Sequence, residues 1–117
     1  MRLQKLYDTF GKKADFLWVY IREAHPTDSA RPARHVQIEQ PKTFERRQEV
    51  ALTCSVNLNL TIPMLVDDLN DTVSRAFDAM PDRLYIIHEG KIAYKGGRGP
   101  HDFNVAELQA ALEKMLN

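Results

Sequence analysis

Glu23 and His25 are the residues of this sequence whose types and spacing best suit chemistry. They belong to the stretch DFLWVYIREAHPTD, Asp15 to Asp28, in which an apolar run meets a charged cluster. If the extended backbone continues through the pair, residues two apart point to the same side, and a carboxylate can orient or charge an imidazole. The pair could therefore handle a proton, although a glutamate and a histidine at a strand end are also typical of a solvated terminus.

The element that must position this pair is a strand predicted from Phe16 to Ile21. Its continuous apolar, β-rich sequence is typical of a strand that is covered on both faces in a mostly parallel sheet. Ligands bind beyond the carboxyl ends of such strands, because loops and helix N-termini converge there. Glu23 and His25 follow this end, so the sequence places them at the mouth of a crevice.

The rest of the chain alternates helix and strand patterns without repeats. The predicted elements are helices at Leu3 to Phe10, Thr43 to Asn57, Asn70 to Met80 and Val105 to Leu116, a strand at Pro63 to Val66, and a hairpin of Arg83 to His88 with Lys91 to Lys95. This order predicts an α/β fold with a central sheet and helices on both faces. A length of 117 residues predicts one domain over residues 1–117.

Local signals define several of these boundaries. Thr43 and Asn104 are expected N-caps of the helices that follow them. Gly90 in the Glu89-Gly90 pair supplies the positive φ that a tight hairpin turn needs.

The helix after Thr43 also decides how its cysteine is interpreted. One face of this predicted helix contains Phe44, Ala51, Cys54 and Leu58. Cys54 is therefore interpreted as a small buried hydrophobe rather than as a reactive thiol.

Composition excludes several function classes. Lysine plus arginine equal aspartate plus glutamate at 16 each, so no nucleic acid partner and no membrane partner is expected, and the basic run from Ala30 to His35 is interpreted as a solvated loop. No apolar run is long enough to span a bilayer, and the first residues do not resemble a secretory signal. The single cysteine excludes an internal disulfide and fits a reducing compartment, so a cytoplasmic location is expected.

Neither a metal nor a cofactor is expected. The histidines at 25, 35, 88 and 101 do not have a zinc-binding spacing. The stretch GGRGP, Gly96 to Pro100, lacks both the glycine spacing and the Lys-Ser/Thr of a phosphate loop and is interpreted as a flexible turn.

Longer stretches resemble a known family. ADFLWVYIREAHPTD (Ala14 to Asp28), MPDRLYIIHEGKIAYKGGRGP (Met80 to Pro100) and FNVAELQAALEKML near the end are together similar to the iodothyronine deiodinase family, a selenoprotein family, over about Leu3 to Leu116. The resemblance implies a thioredoxin-like three-layer sandwich with a mixed sheet, related to peroxiredoxins. It also implies an oxidoreductase that removes iodide reductively from an iodinated aromatic ring, with a selenocysteine or cysteine nucleophile.

The resemblance also implies roles for individual residues. Glu23 and His25 match the family's catalytic glutamate and histidine, and Tyr20 and Arg98 match residues that face the substrate. Pro81 lies where thioredoxin-like folds place a cis-proline, with an ordinary turn proline as the alternative. The expected ligand is an iodinated or phenolic small molecule.

The sequence departs from the family in its nucleophile. The family carries it on a strand before the first helix, and no counterpart is present among these residues, while a second family histidine corresponds to Pro41. A chain truncated in this way is expected to be inactive as written, and the alternative is a non-catalytic small-molecule-binding or assembly protein on the same scaffold. A UGA codon taken for a stop would explain a start at Met1, and a true loss of the N-terminal part is the other explanation.

Loss of the N-terminal central strand would have structural consequences. The strand would lie between those at Phe16 to Ile21 and Arg83 to His88, and its absence would leave backbone groups unpaired. Direct pairing of the two strands, a rearranged sheet, or a homodimer or other self-association through exposed strand edges would satisfy these groups.

Overall fold

A computed structural model describes residues 2–30 and 38–116 of the chain. The elements in chain order are α1 (Arg2–Phe10), β1 (Trp18–Tyr20), α2 (Phe44–Asn57), β2 (Met64–Val66), α3 (Thr72–Ala76), β3 (Tyr85–His88), β4 (Lys91–Lys95) and α4 (Val105–Leu116). The predicted α/β class is confirmed. Most of the basic run from Ala30 to His35 lies outside the described residues.

Backbone contacts group the chain into two compact units. The terminal unit comprises Met1–Phe16 and Pro81–Asn117, and the middle unit comprises Leu17–Met80. The expectation that residues 1–117 form one domain stays a prediction.

The terminal unit is built from α1, α4 and the β3–β4 hairpin. Its core consists of Leu6, Val105, Leu108 and Leu112. Glu89 and Gly90 both have positive φ, 52° and 76°, which is the backbone of the tight two-residue turn that the sequence predicted. The Asn104 side chain accepts a hydrogen bond from the Glu107 N–H, so this predicted N-cap of α4 is confirmed.

The middle unit is built from β1, β2, α2 and α3. β1 and β2 pair in parallel, with Tyr20 opposite Val66. Tyr20, Val50 and Ala51 form the buried core between this pair of strands and α2. Thr43 caps α2 as predicted, since its side chain accepts a hydrogen bond from the Arg46 N–H at 3.1 Å.

The described strands form two pairs, each within one unit. β1 and β2 are parallel, and β3 and β4 are antiparallel. The expected single mixed sheet, and the ways in which its gap could close, stay predictions.

β1 is also less buried than its sequence predicted. The strand is three residues long, Leu17 before it is 58% exposed, and Leu65 on β2 is 52% exposed. The prediction of a strand covered on both faces was wrong, because the apolar run supplies one face to the core and leaves the other near water.

Two helices differ from their predicted form. The buried residues of α2 are Arg47, Val50 and Ala51, whereas Phe44 and Leu58 are exposed, so the predicted apolar face was wrong in part. α3 is much shorter than the predicted helix from Asn70 to Met80. Asp71 and Asp78 take left-handed backbone conformations, with φ of 58° and 48°, and these end the helix on each side.

Two further expectations concern the peptide bond before Pro81 and membrane-spanning segments. Within the described residues the cis peptide bond lies between Gly99 and Pro100, so the cis geometry considered for Pro81 was wrong. Among the helices of the described ranges, none has the length and apolar character needed to cross a bilayer.

Candidate functional site

The carboxylate of Glu23 lies at the centre of the candidate site. β1 ends at Tyr20, and the Tyr20 hydroxyl donates a hydrogen bond to Glu23 Oε1. Tyr20 is 8% exposed and its ring belongs to the core of the middle unit, whereas Glu23 is half-buried. The core therefore fixes the donor, and the donor holds the carboxylate at the edge of the core.

Gln40 holds the main chain of the same residue. Its side-chain Oε1 accepts a hydrogen bond from the Glu23 N–H at 3.1 Å, and its Nε2 donates one to the Glu23 carbonyl at 3.0 Å. Both the carboxylate and the peptide groups of Glu23 are thus hydrogen-bonded to side chains of the middle unit.

Arg47 supplies positive charge near this carboxylate. The guanidinium is 3% exposed, and its Nη1 donates to the carbonyls of Asp67 at 3.3 Å and Asp68 at 2.6 Å. It also forms an ion pair with Asp71 at 3.3 Å. Tyr20, Glu23, Gln40 and Arg47 are called the Glu23 cluster below.

Burial raises the pKa of Glu23 above its ordinary value, and the positive charge of Arg47 opposes this shift. Burial is the larger of the two effects. The neutral acid is therefore favoured over a wider pH range than for a glutamate in water, which suits a group that donates a proton.

Cys54 lies on α2, half-buried, and packs against the core of the middle unit. Burial raises the pKa of its thiol, and the nearby charge of Glu23 raises it further. The thiol is thereby kept in its protonated, weakly nucleophilic form, in agreement with its interpretation as a small hydrophobe.

His25 is exposed, two residues beyond Glu23. The backbone after Tyr20 leaves the β-strand, so the argument that placed the two side chains on one side of a continuing strand does not hold here. The structure gives the two residues different surroundings, a half-buried carboxylate and an exposed imidazole.

Arg98 lies in the terminal unit on residues 96–104, which connect β4 to α4 and are called the Arg98 loop below. Main-chain hydrogen bonds fix the loop, from Gly96 N to the Leu84 carbonyl at 2.8 Å and from Gly99 N to the Asp82 carbonyl at 2.9 Å. Arg83 Nε donates to the Gly96 carbonyl at 2.8 Å. The Arg98 side chain is exposed on this fixed backbone.

A depression of about 340 Å³ adjoins the Arg98 loop. It is lined by Gly97, His101, Asp102, Phe103, Asn104 and Glu107. Its volume is at the lower end of the range for small-molecule sites.

A family model described as iodothyronine deiodinase matches residues 1–116 of the chain. The chain belongs to the iodothyronine deiodinase family. This confirms the resemblance seen in the sequence.

Individual deiodinases share about a third of their residues with the chain. The type I iodothyronine deiodinase of Xenopus laevis is 34% identical over 110 residues, which is 94% of this chain and 43% of that protein. The thyroxine 5-deiodinase of Ovis aries is 35% identical over 112 residues, 95% of this chain and 38% of that protein. The chain therefore spans well under half the length of these relatives.

The predicted site residues of this deiodinase family member fall into both units. Tyr20, Glu23 and His25 belong to the middle unit, where the first two are hydrogen-bonded to each other. Arg98 belongs to the terminal unit. Tyr20 was predicted to contact the substrate. Its hydroxyl donates a hydrogen bond to Glu23, so support of that carboxylate is an alternative role for it.

The sequence alone did not identify Gln40 or Arg47 as site residues. Gln40 lies in a loop and carries no pattern that marks it. Arg47 carried a usable signal, because it lies three and four residues before Val50 and Ala51 and therefore on their helical face. A charged residue at such a position needs a buried partner.

No group of three metal-binding side chains is found in residues 2–30 and 38–116. The chemistry that the cluster itself can provide is proton transfer at Glu23 and electrostatic control of that carboxylate by Arg47.

Proposed function

We propose that the chain is a deiodinase-like redox protein whose residues supply proton transfer and substrate binding. The reaction replaces a carbon–iodine bond of an aromatic ring by a carbon–hydrogen bond. It takes up two electrons and one proton and releases iodide. A thiol-class reductant supplies the electrons through a thiolate or selenolate, and this chain delivers the proton.

The half-buried carboxyl of Glu23 is the observation that carries this proposal. Its pKa is raised by burial, so it can hold a proton closer to neutral pH than a glutamate in water can. The Tyr20 hydroxyl holds the carboxylate in one position, and His25 is exposed two residues further along the chain. We assign the catalytic roles to Glu23 and His25.

The nucleophile is assigned to a group outside these 117 residues. Cys54 is the one cysteine of the sequence, and both burial and the charge of Glu23 raise the pKa of its thiol. A thiol that resists ionisation is a poor nucleophile, because the thiolate is the attacking form. On this proposal the 117 residues alone do not release iodide.

Substrate binding is assigned to the Arg98 loop. An exposed guanidinium on a fixed backbone can pair with a phenolate or carboxylate. The relatives include a protein named thyroxine 5-deiodinase, which supports an iodinated phenol as the ligand class. Tyr20, which is buried against Glu23, is assigned to the support of that carboxylate, and direct contact with substrate is the alternative for it.

A second candidate is a non-catalytic protein that binds small molecules or assembles with other chains on the same scaffold. The protonated state favoured for Cys54 supports it, because this state removes the one sulfur nucleophile in the sequence. The two candidates share the ligand and differ in turnover. A homodimer through the strand edges of β1–β2 or β3–β4 is part of either proposal.

Ligand binding is tested by thermal unfolding of the 117-residue chain with 2,6-diiodophenol or with phenol. Saturation at about 100 times the dissociation constant should stabilise the fold by about 2.7 kcal/mol. We expect the iodinated phenol to raise the unfolding midpoint, and we expect Arg98→Ala to abolish this rise.

His88→Ala and Arg75→Ala are matched controls, since both side chains are exposed outside the proposed site. These variants should keep the full rise. An unchanged midpoint at saturating ligand, or an equal rise in all three variants, would contradict the proposed binding. Iodide release by the chain with dithiothreitol alone would contradict the assignment of the nucleophile.

A further inference from the structure

The amide of Gln40 and the peptide of Glu23 form a reciprocal pair of hydrogen bonds. Gln40 Oε1 accepts from the Glu23 N–H at 3.1 Å, and Gln40 Nε2 donates to the Glu23 carbonyl at 3.0 Å. Two residues on antiparallel strands exchange bonds in the same way. Here a side chain takes the place of a neighbouring strand for the single residue that carries the carboxylate.

Gln40 is itself fixed by its surroundings. Its own N–H donates to Asp28 Oδ1 at 3.0 Å, and the carbonyl of Ile38 accepts from the Thr27 N–H at 2.8 Å. Ile38 packs against the core of the middle unit. The amide therefore starts from an anchored backbone, and holding it in place costs little further side-chain entropy.

Glu23 needs such a partner because it lies beyond the end of β1. The strand ladder stops at Tyr20, whose carbonyl accepts from the Asp67 N–H at 2.8 Å. Without a ladder partner, rotation about the Glu23 backbone would swing the carboxyl away from the Tyr20 hydroxyl. A polar main chain that is half-buried also loses stability when its hydrogen bonds are missing.

We propose that Gln40 is a positioning residue for Glu23, whose amide fixes the Glu23 peptide so that the carboxylate stays hydrogen-bonded to Tyr20. The consequence for turnover rests on the proposed function, in which Glu23 handles the proton. The two hydrogen bonds between Gln40 and the Glu23 peptide, called the clamp below, do not depend on that function. Three neighbouring groups interact with the Glu23 carboxylate. Tyr20 on β1 donates a hydrogen bond to it, Arg47 on α2 lowers its pKa, and its charge raises the pKa of Cys54 on α2.

The first measurement is amide hydrogen exchange of Glu23 in the full chain without ligand. Gln40→Met keeps the length of the side chain and removes both hydrogen bonds. The Glu23 amide should then exchange about tenfold faster, as expected from the loss of one hydrogen bond. The amides of Val50 and Ala51 in the core should keep their rates.

The second measurement is the titration of the Glu23 carboxyl by carbon NMR. In Gln40→Met the carboxyl should become better solvated, and its pKa should fall toward the ordinary value for glutamate. Gln48→Met is the matched control, because Gln48 is exposed on α2. It should leave both the exchange rate and the titration unchanged.

Two results would overturn the clamp. One is an unchanged Glu23 amide in Gln40→Met, and the other is an equal acceleration of Glu23, Val50 and Ala51, which would mean general destabilisation. If Gln40→Met does not fold, Gln40→Asn decides with the same expectations, since its amide is one methylene too short to reach. Failure of the ligand test with success here would reject the proposed function and keep the clamp.

Discussion

The Glu23 cluster and the Arg98 loop hold their functional side chains in different ways. Glu23 is held by side chains, from Tyr20 to its carboxylate and from Gln40 to its peptide. The Arg98 loop is held at main-chain atoms, by the hydrogen bonds of the Gly96 and Gly99 N–H groups and by Arg83 Nε on the Gly96 carbonyl, and the Arg98 side chain is exposed. Contacts to a side chain can tune its pKa, whereas contacts to the main chain fix the path of a loop.

The two modes of support predict different sensitivities. The Glu23 cluster should respond to changes of distant side chains that leave the backbone intact. The Arg98 loop should tolerate such changes but respond to a methyl group added at a glycine. Each prediction below would sharpen or break this contrast.

Arg47→Met should have the largest effect. The buried guanidinium pairs with Asp71 and two main-chain carbonyls, and removing one partner of a buried pair costs about 3 kcal/mol. The free energy of unfolding from urea titration should fall by that order, and the pKa of Glu23 should rise further, because Arg47 lowers it.

Arg46→Met provides the control for this substitution. Its exposed ion pair with Glu49 should contribute no more than about 0.5 kcal/mol to the free energy of unfolding. Equal losses in Arg46→Met and Arg47→Met would show that the buried charge does not support the Glu23 cluster.

Gly97→Ala should have the next largest effect. An added Cβ would overlap with Asp102 Cβ and lie 3.1 Å from the Asp102 carbonyl, so the backbone of the Arg98 loop must shift. Such overpacking costs about 2 kcal/mol. Thermal unfolding should show a lower midpoint than for the wild type.

Gly99→Ala is the informative comparison within the same loop. Its Cβ would overlap with the carboxylate of Asp82, which is an exposed side chain that can rotate away. The loss should therefore be smaller than for Gly97→Ala. A larger loss in Gly99→Ala would mean that the Asp82 side chain cannot rotate away. That side chain, rather than the main chain, would then hold the loop.

Glu23→Gln should have the smallest effect, visible as a change in pH dependence. The folded pKa of Glu23 is raised, so between the ordinary glutamate pKa and the raised value the folded state binds more protons than the unfolded state. The contribution of Glu23 to stability is therefore fully present below this interval and is lost as the pH rises through it.

The measurement for this substitution is urea denaturation of both proteins at a series of pH values. Wild type should lose stability relative to Glu23→Gln as the pH rises through the interval. Gln48→Met, an exposed change on α2 that alters no titratable group, should follow the wild type. Parallel curves for wild type and Glu23→Gln would contradict the burial effect.

Features set by neighbouring residues were predicted from the sequence. The hairpin turn at Glu89 and Gly90 depends on backbone conformations that glycine supplies, and the caps at Thr43 and Asn104 depend on side chains within three residues of their partners. These local rules located the hairpin turn and the N-terminal ends of α2 and α4.

Features set by distant residues were not predicted. Gln40 and Glu23 are 17 positions apart, and Arg47 and Asp71 are 24 apart, so no spacing rule joins them. Because Arg47 is buried together with Val50 and Ala51, the face of α2 that packs inward differs from the predicted one. The parallel pairing of β1 with β2, in which Tyr20 lies opposite Val66, likewise joins residues that are remote in sequence.

The site residues show the same division. Glu23 was found because it follows an apolar strand, yet its same-side geometry with His25 assumed that the strand continues. The structure ends the strand at Tyr20 and places the Tyr20 hydroxyl on the carboxylate. Family resemblance, rather than spacing, identified Arg98.

The most direct test of this account is the carboxyl titration of Glu23 in the wild-type chain by carbon NMR, assigned with Glu23→Gln. A proton-handling Glu23 must titrate above the ordinary value of a glutamate in water, because burial raises its pKa more than Arg47 lowers it. Titration of Glu23 at or below that ordinary value would contradict the central claim.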